Sequence, residues 1–387
     1  MSARHRTRPH RRGKNAGIVS LLTLLLFFLL QGCSVSGEIA ESDSPSLDVK
    51  IGQMLMVGFR GLAVDENHPI ARDIRERHLG GVVLFDFDVP DRSPVRNITS
   101  PGQLRALTAS LQSLSDIPLF VAVDGEGGQV WRLQERFGFP PTLSARCLGR
   151  MNDLSRTYGY AAAMAKTLAE TGINLNLAPV VDLDVNPDNP VIGKLGRSFS
   201  ADPETVTENA RAFIRAHHDR GILCVLKHFP GHGSSSADSH LGMADVTNTW
   251  TQAELIPYRI LAGEGFADAV MTAHVFNARL DRDEPATFSR PVVTGLLRDD
   301  LGYDGVVISD DLQMRAVSDR CGFEAAVEKA VAAGVDILLV ANNSVYDEDA
   351  VARSIAVIGN LVRQGKVSVS RIDRSFERIL GLKNRLE

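Results

Sequence analysis

The sequence predicts an α/β protein built as a single (β/α)8 TIM-type barrel, and three observations predict it. Eight short apolar runs recur along the chain, carrying Val, Ile and Leu without polar alternation, the pattern of strands buried on both faces of a parallel sheet. Helix-length segments separate them, and the roughly 330 residues from Val49 onward suit eight strand-helix units. Five consecutive runs end in charged residues, as expected where strand ends share one barrel mouth. A doubly wound sheet is the competing arrangement on pattern alone.

Taken in order, the chain opens with six cations, Arg4, Arg6, Arg8, Arg11, Arg12 and Lys14, and no acid, ahead of the apolar run Ala16 to Leu30. That run is shorter than the roughly 20 residues a resident membrane helix needs, so residues 1–32 read as an export signal. It closes on Leu30-Gln31-Gly32-Cys33, which resembles a bacterial lipobox and marks Cys33 for lipid attachment; a plain secretory signal is the alternative. The Ser- and acid-rich residues that follow make 33–48 a polar tether, and residues 49–387 form the folded domain.

Within that domain the strand candidates are Met54 to Phe59, Gly81 to Phe85, Leu119 to Asp124, Ile173 to Val180, Ile222 to His228, Ala269 to His274, Gly305 to Asp310 and Asp336 to Ala341. Pro101 to Ser115, Asp153 to Glu170, Pro203 to Arg220 and Phe323 to Ala333 have helical character. Asp86 to Thr99 is a long loop, an expected insertion at the rim. Val367 to Glu387 reads as a closing amphipathic helix with Arg371, Arg374, Arg378, Lys383 and Arg385 outside.

Composition narrows the function. Removing the six leader cations from 42 basic residues leaves 36 against 47 acidic ones, a net charge of −11, which argues against nucleic acid or an anionic membrane face as partner. Cys147, Cys224 and Cys321 are odd in number and scattered, so buried thiols are expected rather than a disulfide framework. His228 and His232 are four apart, but Pro230 and Gly231 between them rule against a helical zinc site. No metal or cofactor is expected.

The chemistry concentrates where strands end. Lys227 to His240 reads KHFPGHGSSSADSH, a loop holding three histidines beside Asp238. An aspartate two residues from an imidazole can fix its tautomer and leave the second nitrogen to exchange a proton at neutral pH. Other strand ends supply Asp124 in DGEGGQVWR, Asp182 and Asp184, Arg197 in GRSF, His274, and Asp310 in SDD. Singly, each has a plain reading: Asp310 as a helix cap, Arg197 as a surface arginine. The Gly-rich DGEGGQV lacks the GK[ST] ending of a phosphate loop and carries two acids that repel phosphate.

These segments, together with NPVIG, MTAH, PATFS and ISDDLQM, resemble glycoside hydrolase family 3 in its β-N-acetylglucosaminidase branch, over nearly all of the mature chain. The resemblance implies a (β/α)8 catalytic domain that cleaves terminal β-linked GlcNAc. It implies Asp310 as the nucleophile and His240, paired with Asp238, as acid/base. It further implies Asp124, Arg132, Arg197, Lys227 and His228 as partners of the non-reducing sugar. Displacement at an acetal carbon asks for a carboxylate on one face and a proton donor on the other, and Lys227, Arg197 or Arg132 nearby is expected to hold Asp310 ionised.

Peptidoglycan fragments or chitin oligomers are the expected substrates, for a monomeric enzyme exported and lipid-anchored at the bacterial cell envelope. β-Glucosidase and GlcNAc phosphorylase activities are rivals within the family; a lipid-anchored sugar-binding pseudoenzyme is the rival from another class.

Overall fold

The computed structural model describes residues 45–239 and 241–386; the expected export signal, Cys33, most of the expected tether and His240 lie outside them. Eight strands, β1 (Leu55–Gly58), β2 (Gly81–Leu84), β3 (Phe120–Val123), β4 (Leu175–Asn176), β5 (Leu223–Phe229), β6 (Ala269–Thr272), β7 (Val306–Ile308) and β8 (Leu338–Val340), form one parallel sheet. Each predicted apolar run coincides with one of them, β5 extending one residue past its run. Their order is β7-β6-β5-β4-β3-β2-β1-β8, each strand beside its neighbour in sequence except where β8 joins β1 through Val57↔Val340. A parallel bridge from Ile308 to Ile337 brings the two ends together, helped by Ser309 N–H donating to the Ile337 carbonyl at 2.9 Å. The fold is therefore a nearly closed barrel, and the doubly wound alternative falls.

All strand residues are buried, because barrel side chains fill the interior on one face and pack under helices on the other. Local signals start those helices. Ser100 and Asp202 each precede a proline at the first helical position, and their side chains accept from Gln103 N at 3.1 Å and Thr205 N at 2.8 Å; such a cap satisfies an orphan amide, and Pro has none to lose. The helices Pro101–Ser113, Leu154–Glu170, Pro203–His218 and Phe323–Ala333 stand where the sequence places them. No described helix is long and apolar enough to cross a membrane.

Three expectations need correction in detail. A helix, Leu47–Gln53, capped by Ser46, already includes the last two residues assigned to the tether. In the closing helix Val369–Lys383, Lys383 is not outside: its amine is buried, donates to Gln53 Oε1 at 2.6 Å and the Gly80 carbonyl at 2.8 Å, and lies over the Phe120 ring. Of the described thiols, all free, Cys224 is buried in β5 but Cys147 is exposed and Cys321 only partly covered.

The loop after β2 is held by Asp88, which accepts from Arg60 at 2.8 and 2.9 Å and from Arg96 at 2.7 Å. Those bonds fix it at the rim.

Candidate active site

The C-terminal strand ends surround a cavity of about 680 Å³. Asp124 follows β3, Lys227 and His228 belong to β5, and Asp310 lies two residues beyond β7. Arg132 follows the hairpin strand Val130–Trp131, Arg197 comes from the long connection after β4, and Asp238 from the loop after β5. All seven line the cavity. A barrel does this by construction, since side chains remote in sequence leave successive parallel strands at one end.

One wall is a ladder of alternating charge. Arg132 donates to Asp124 at 3.0 Å, Lys227 Nζ lies 2.9 Å from Asp124 and 2.7 Å from Glu126, and Arg197 grips both Glu126 oxygens at 2.7 Å. Lys227 is 2% exposed and Glu126 3%, so each charge persists only because opposite charges touch it. Burial pushes the Asp124 and Glu126 carboxyls up, but Lys227 with Arg132, and Arg197 with Lys227, outweigh it and hold both below the usual carboxylate range. Burial likewise pulls Lys227 down, and its two carboxylates raise it above the ordinary lysine value. At neutral pH the ladder is ionised throughout, a set of rigid charged donors and acceptors of the kind that binds hydroxyls most strongly.

The same cations that were expected to keep Asp310 ionised, Arg132, Arg197 and Lys227, also pair with Asp86, Asp124 and Glu126.

The neighbouring wall is organised by Asp182, which is fully buried. It accepts from His228 Nδ1 at 2.7 Å and from the His232 amide at 2.8 Å. His228 Nε2 is thereby left to accept from Arg197 Nη2 at 3.3 Å, which assigns the tautomer. His232 is buried, and burial lowers its pKa to about 4, so it is neutral. Its Nε2 meets Ser239 Oγ at 3.1 Å, and the Ser239 carbonyl accepts from the Ala316 amide at 3.3 Å. Ser239 stands between Asp238 and His240, so the loop is tied down between its two expected working residues. The glycines before it are required by contact: a Cβ on Gly233 would lie 1.7 Å from the Leu183 carbonyl oxygen, and one on Gly231 would lie 2.6 Å from Glu254.

Asp310 Oδ1 accepts from the Asp311 amide at 2.8 Å. Asp311 is itself fixed: its carboxylate accepts from Ala341 N at 2.9 Å and Gln313 N at 3.1 Å, and its carbonyl accepts from His274 Nε2 at 2.9 Å. His274, found in the sequence as a polar strand end, thus supports the end of β7.

Sequence reasoning missed Glu126, read there only as an acid hostile to phosphate, and the partnerships of Asp182, His232, Ser239 and Glu254. Glu126 carried a signal, since it stands two residues after Asp124 in the extended stretch that leaves β3, in the short strand Gly125–Gly127. Glu254 carried none: it arrives from the segment after the loop, accepts from Gly233 N at 3.1 Å, and burial pushes its carboxyl up to about 7. Outside the ladder, the cavity has an apolar side with Phe87, Val89, Leu195 and Met314.

Comparison with known proteins gives consistent matches. Residues 46–382 match the glycosyl hydrolase family 3 N-terminal domain. A β-hexosaminidase of Tolumonas auensis is 38% identical over 295 residues, 75% of this chain and 83% of that protein. Among solved structures, a glycoside hydrolase family 3 β-N-acetylglucosaminidase from Paenibacillus sp. FPU-7 superposes with a TM-score of 0.81 at 36% identity, covering 89% of this chain and 63% of that one. A β-N-acetylhexosaminidase from Beutenbergia cavernae does so with a TM-score of 0.78 at 30% identity, covering 88% and 99%.

Proposed function

The chain belongs to glycosyl hydrolase family 3 and is a glycosidase, and from that premise we propose that it removes non-reducing terminal β-linked GlcNAc by double displacement with retention. The observation that carries this reading is the single cleft that gathers Asp310, Asp238 and the charge ladder of Asp124, Arg132, Lys227 and Arg197.

In the proposed first step Asp310 attacks the anomeric carbon and forms a glycosyl-enzyme while His240 gives its proton to the departing oxygen. In the second, His240 takes a proton from water, whose oxygen displaces Asp310. Asp238 orients the imidazole. A histidine with an ordinary pKa near 6.5 can give and reclaim that proton at neutral pH without the burial a carboxylic acid needs. Arg132, Asp124, Lys227, Arg197 and His228 hold the terminal sugar through its hydroxyls and amide. The expected export signal and Cys33 complete the proposal: a lipid-anchored enzyme of the bacterial envelope, acting on peptidoglycan fragments, with chitin oligomers as the alternative.

A slow fluorinated GlcNAc donor followed by intact-mass and peptide analysis tests the nucleophile. An adduct on Asp310 is expected; an adduct elsewhere, or none with active enzyme, rejects the assignment. In parallel, His240→Ala is expected to slow aryl glycosides with poor leaving groups far more than those with good ones, and equal losses count against the acid role.

A further inference from the structure

At the opposite end of the barrel, where β7 and β8 begin, lies a second cavity of about 370 Å³ between the helical segment Pro291–Asp300, residues 331–334 and the start of the helix Val369–Lys383. Its lining contains six cations, Arg290, Arg298, Lys366, Arg371, Arg374 and Arg378, and no acidic side chain. Such a cluster stands out in a chain whose mature part is net acidic.

Part of the cluster has a structural task. Asp336, fully buried, is met by Arg298 at 2.6 Å, Arg378 at 3.5 Å and Arg371 at 3.6 Å. Arg378 also pairs with Asp304 at 2.5 Å, and Lys366 with Glu328 at 2.9 Å. Three carboxylates thus answer six cations, leaving an excess of three. Arg290 and Arg374 have no carboxylate partner among the described residues, and both are exposed at the cavity mouth. A purely structural clamp around Asp336 explains Arg298, Arg371 and Arg378. It does not explain why two further arginines and Ser368 face the same space.

We infer that this cavity is a binding site for a phosphate-bearing anion. Guanidinium groups present planar forks that match phosphate oxygens in pairs. Ser368 caps the fifteen-residue helix Val369–Lys383, whose first amides and positive dipole end add to the field at the cavity edge. Burial, with the neighbouring Arg298, Arg378 and Arg374 adding to it against the pull of Asp336, lowers the Arg371 guanidinium to about 10; an incoming anion relieves that repulsion. The cavity, about 370 Å³, leaves room for a phosphate carried on a larger group. Such a group can come from a soluble phosphorylated compound or from a phospholipid headgroup. The second source rests on the lipid anchor proposed above: the helix Leu47–Gln53, which follows Cys33 in sequence, is joined to the same closing helix by Lys50–Asp373 at 2.8 Å.

The test uses the full chain with Cys33→Ser and, beside it, the same chain with Arg290→Gln and Arg374→Gln. Both substituted arginines lie far from the sugar cleft, so turnover of an aryl GlcNAc should be unchanged and reports folding. In one arm, inorganic phosphate and glucose 6-phosphate are titrated calorimetrically against chloride. In the other, flotation compares phosphatidylglycerol with phosphatidylcholine vesicles. The expected result is saturable binding in one arm, at least tenfold weaker in the double variant. Binding of the soluble phosphates without vesicle preference assigns a soluble ligand, and a preference for phosphatidylglycerol assigns the headgroup. Absence of both, or equal binding by the double variant, overturns the inference.

Discussion

Replacing Glu126 by Gln keeps the side-chain shape and deletes one negative charge from the centre of the ladder. Glu126 takes two bonds from Arg197 and one ion pair from Lys227, all at 2.7 Å, and is 3% exposed. In the variant the amide turns a donor toward one of two cations, both buried. Removing one partner of such a buried pair costs about 3–5 kcal/mol, because the remaining charge stays uncompensated. Lys227 keeps Asp124 at 2.9 Å and Arg197 keeps the Val191 carbonyl at 3.3 Å, which places the expected loss near the lower end, about 3 kcal/mol. Urea unfolding at pH 7 measures it, and a cycle with Arg197→Gln isolates the pair: a coupling of about 2 kcal/mol is expected for groups in direct contact. Because both cations also face the cleft, kcat/KM should fall together with stability. A loss below about 1 kcal/mol, or a coupling near zero, refutes the view that Glu126 is the keystone of the ladder.

Glu254 gives an effect of opposite sign to the ladder carboxylates. Its folded pKa, raised by burial to about 7, lies above its unfolded value, so its contribution to stability is full below the unfolded pKa and is lost as pH rises through 7. Glu254→Gln should therefore stabilise the protein at pH 8 by up to about 3 kcal/mol more than at pH 4.5, read from urea unfolding at the two pH values; an unchanged pH slope sinks the argument. Ser239→Ala removes the His232 bond that holds the loop, worth about 1 kcal/mol. It should lower kcat for poor leaving groups about fivefold, with KM nearly constant, and the reverse pattern would assign Ser239 to substrate binding instead.

Much of the fold was legible because barrel strands are buried on both faces. Burial writes itself into the sequence as runs such as Ile222 to Leu226, and all eight runs hold strands of the barrel. Helix starts were legible for a local reason as well: Ser100-Pro101 and Asp202-Pro203 carry their own caps. The polar strand ends pointed to the cleft, since a residue that interrupts an apolar run at its C-terminal end has few structural reasons to be charged. Lys383 shows where such reasoning fails. Its charge alone placed it outside, although four residues after Ile379 and eleven after Ile372 it shares their buried helix face, where the carbonyl of Gly80 and the side chain of Gln53, both remote in sequence, supply partners that make burial tolerable.

By itself, then, the sequence determined the alternation of strand and helix, the set of charged groups delivered to one barrel mouth, and the likeness that names the family. Only the tertiary structure decided who pairs with whom: that Lys227 and Arg197 both answer Glu126, that Asp182 governs two histidines, and that six cations meet at the far end of the barrel. Electrostatic energy depends on distance and on local burial, and chains brought together across a hundred residues set both in ways that no run of neighbouring letters records.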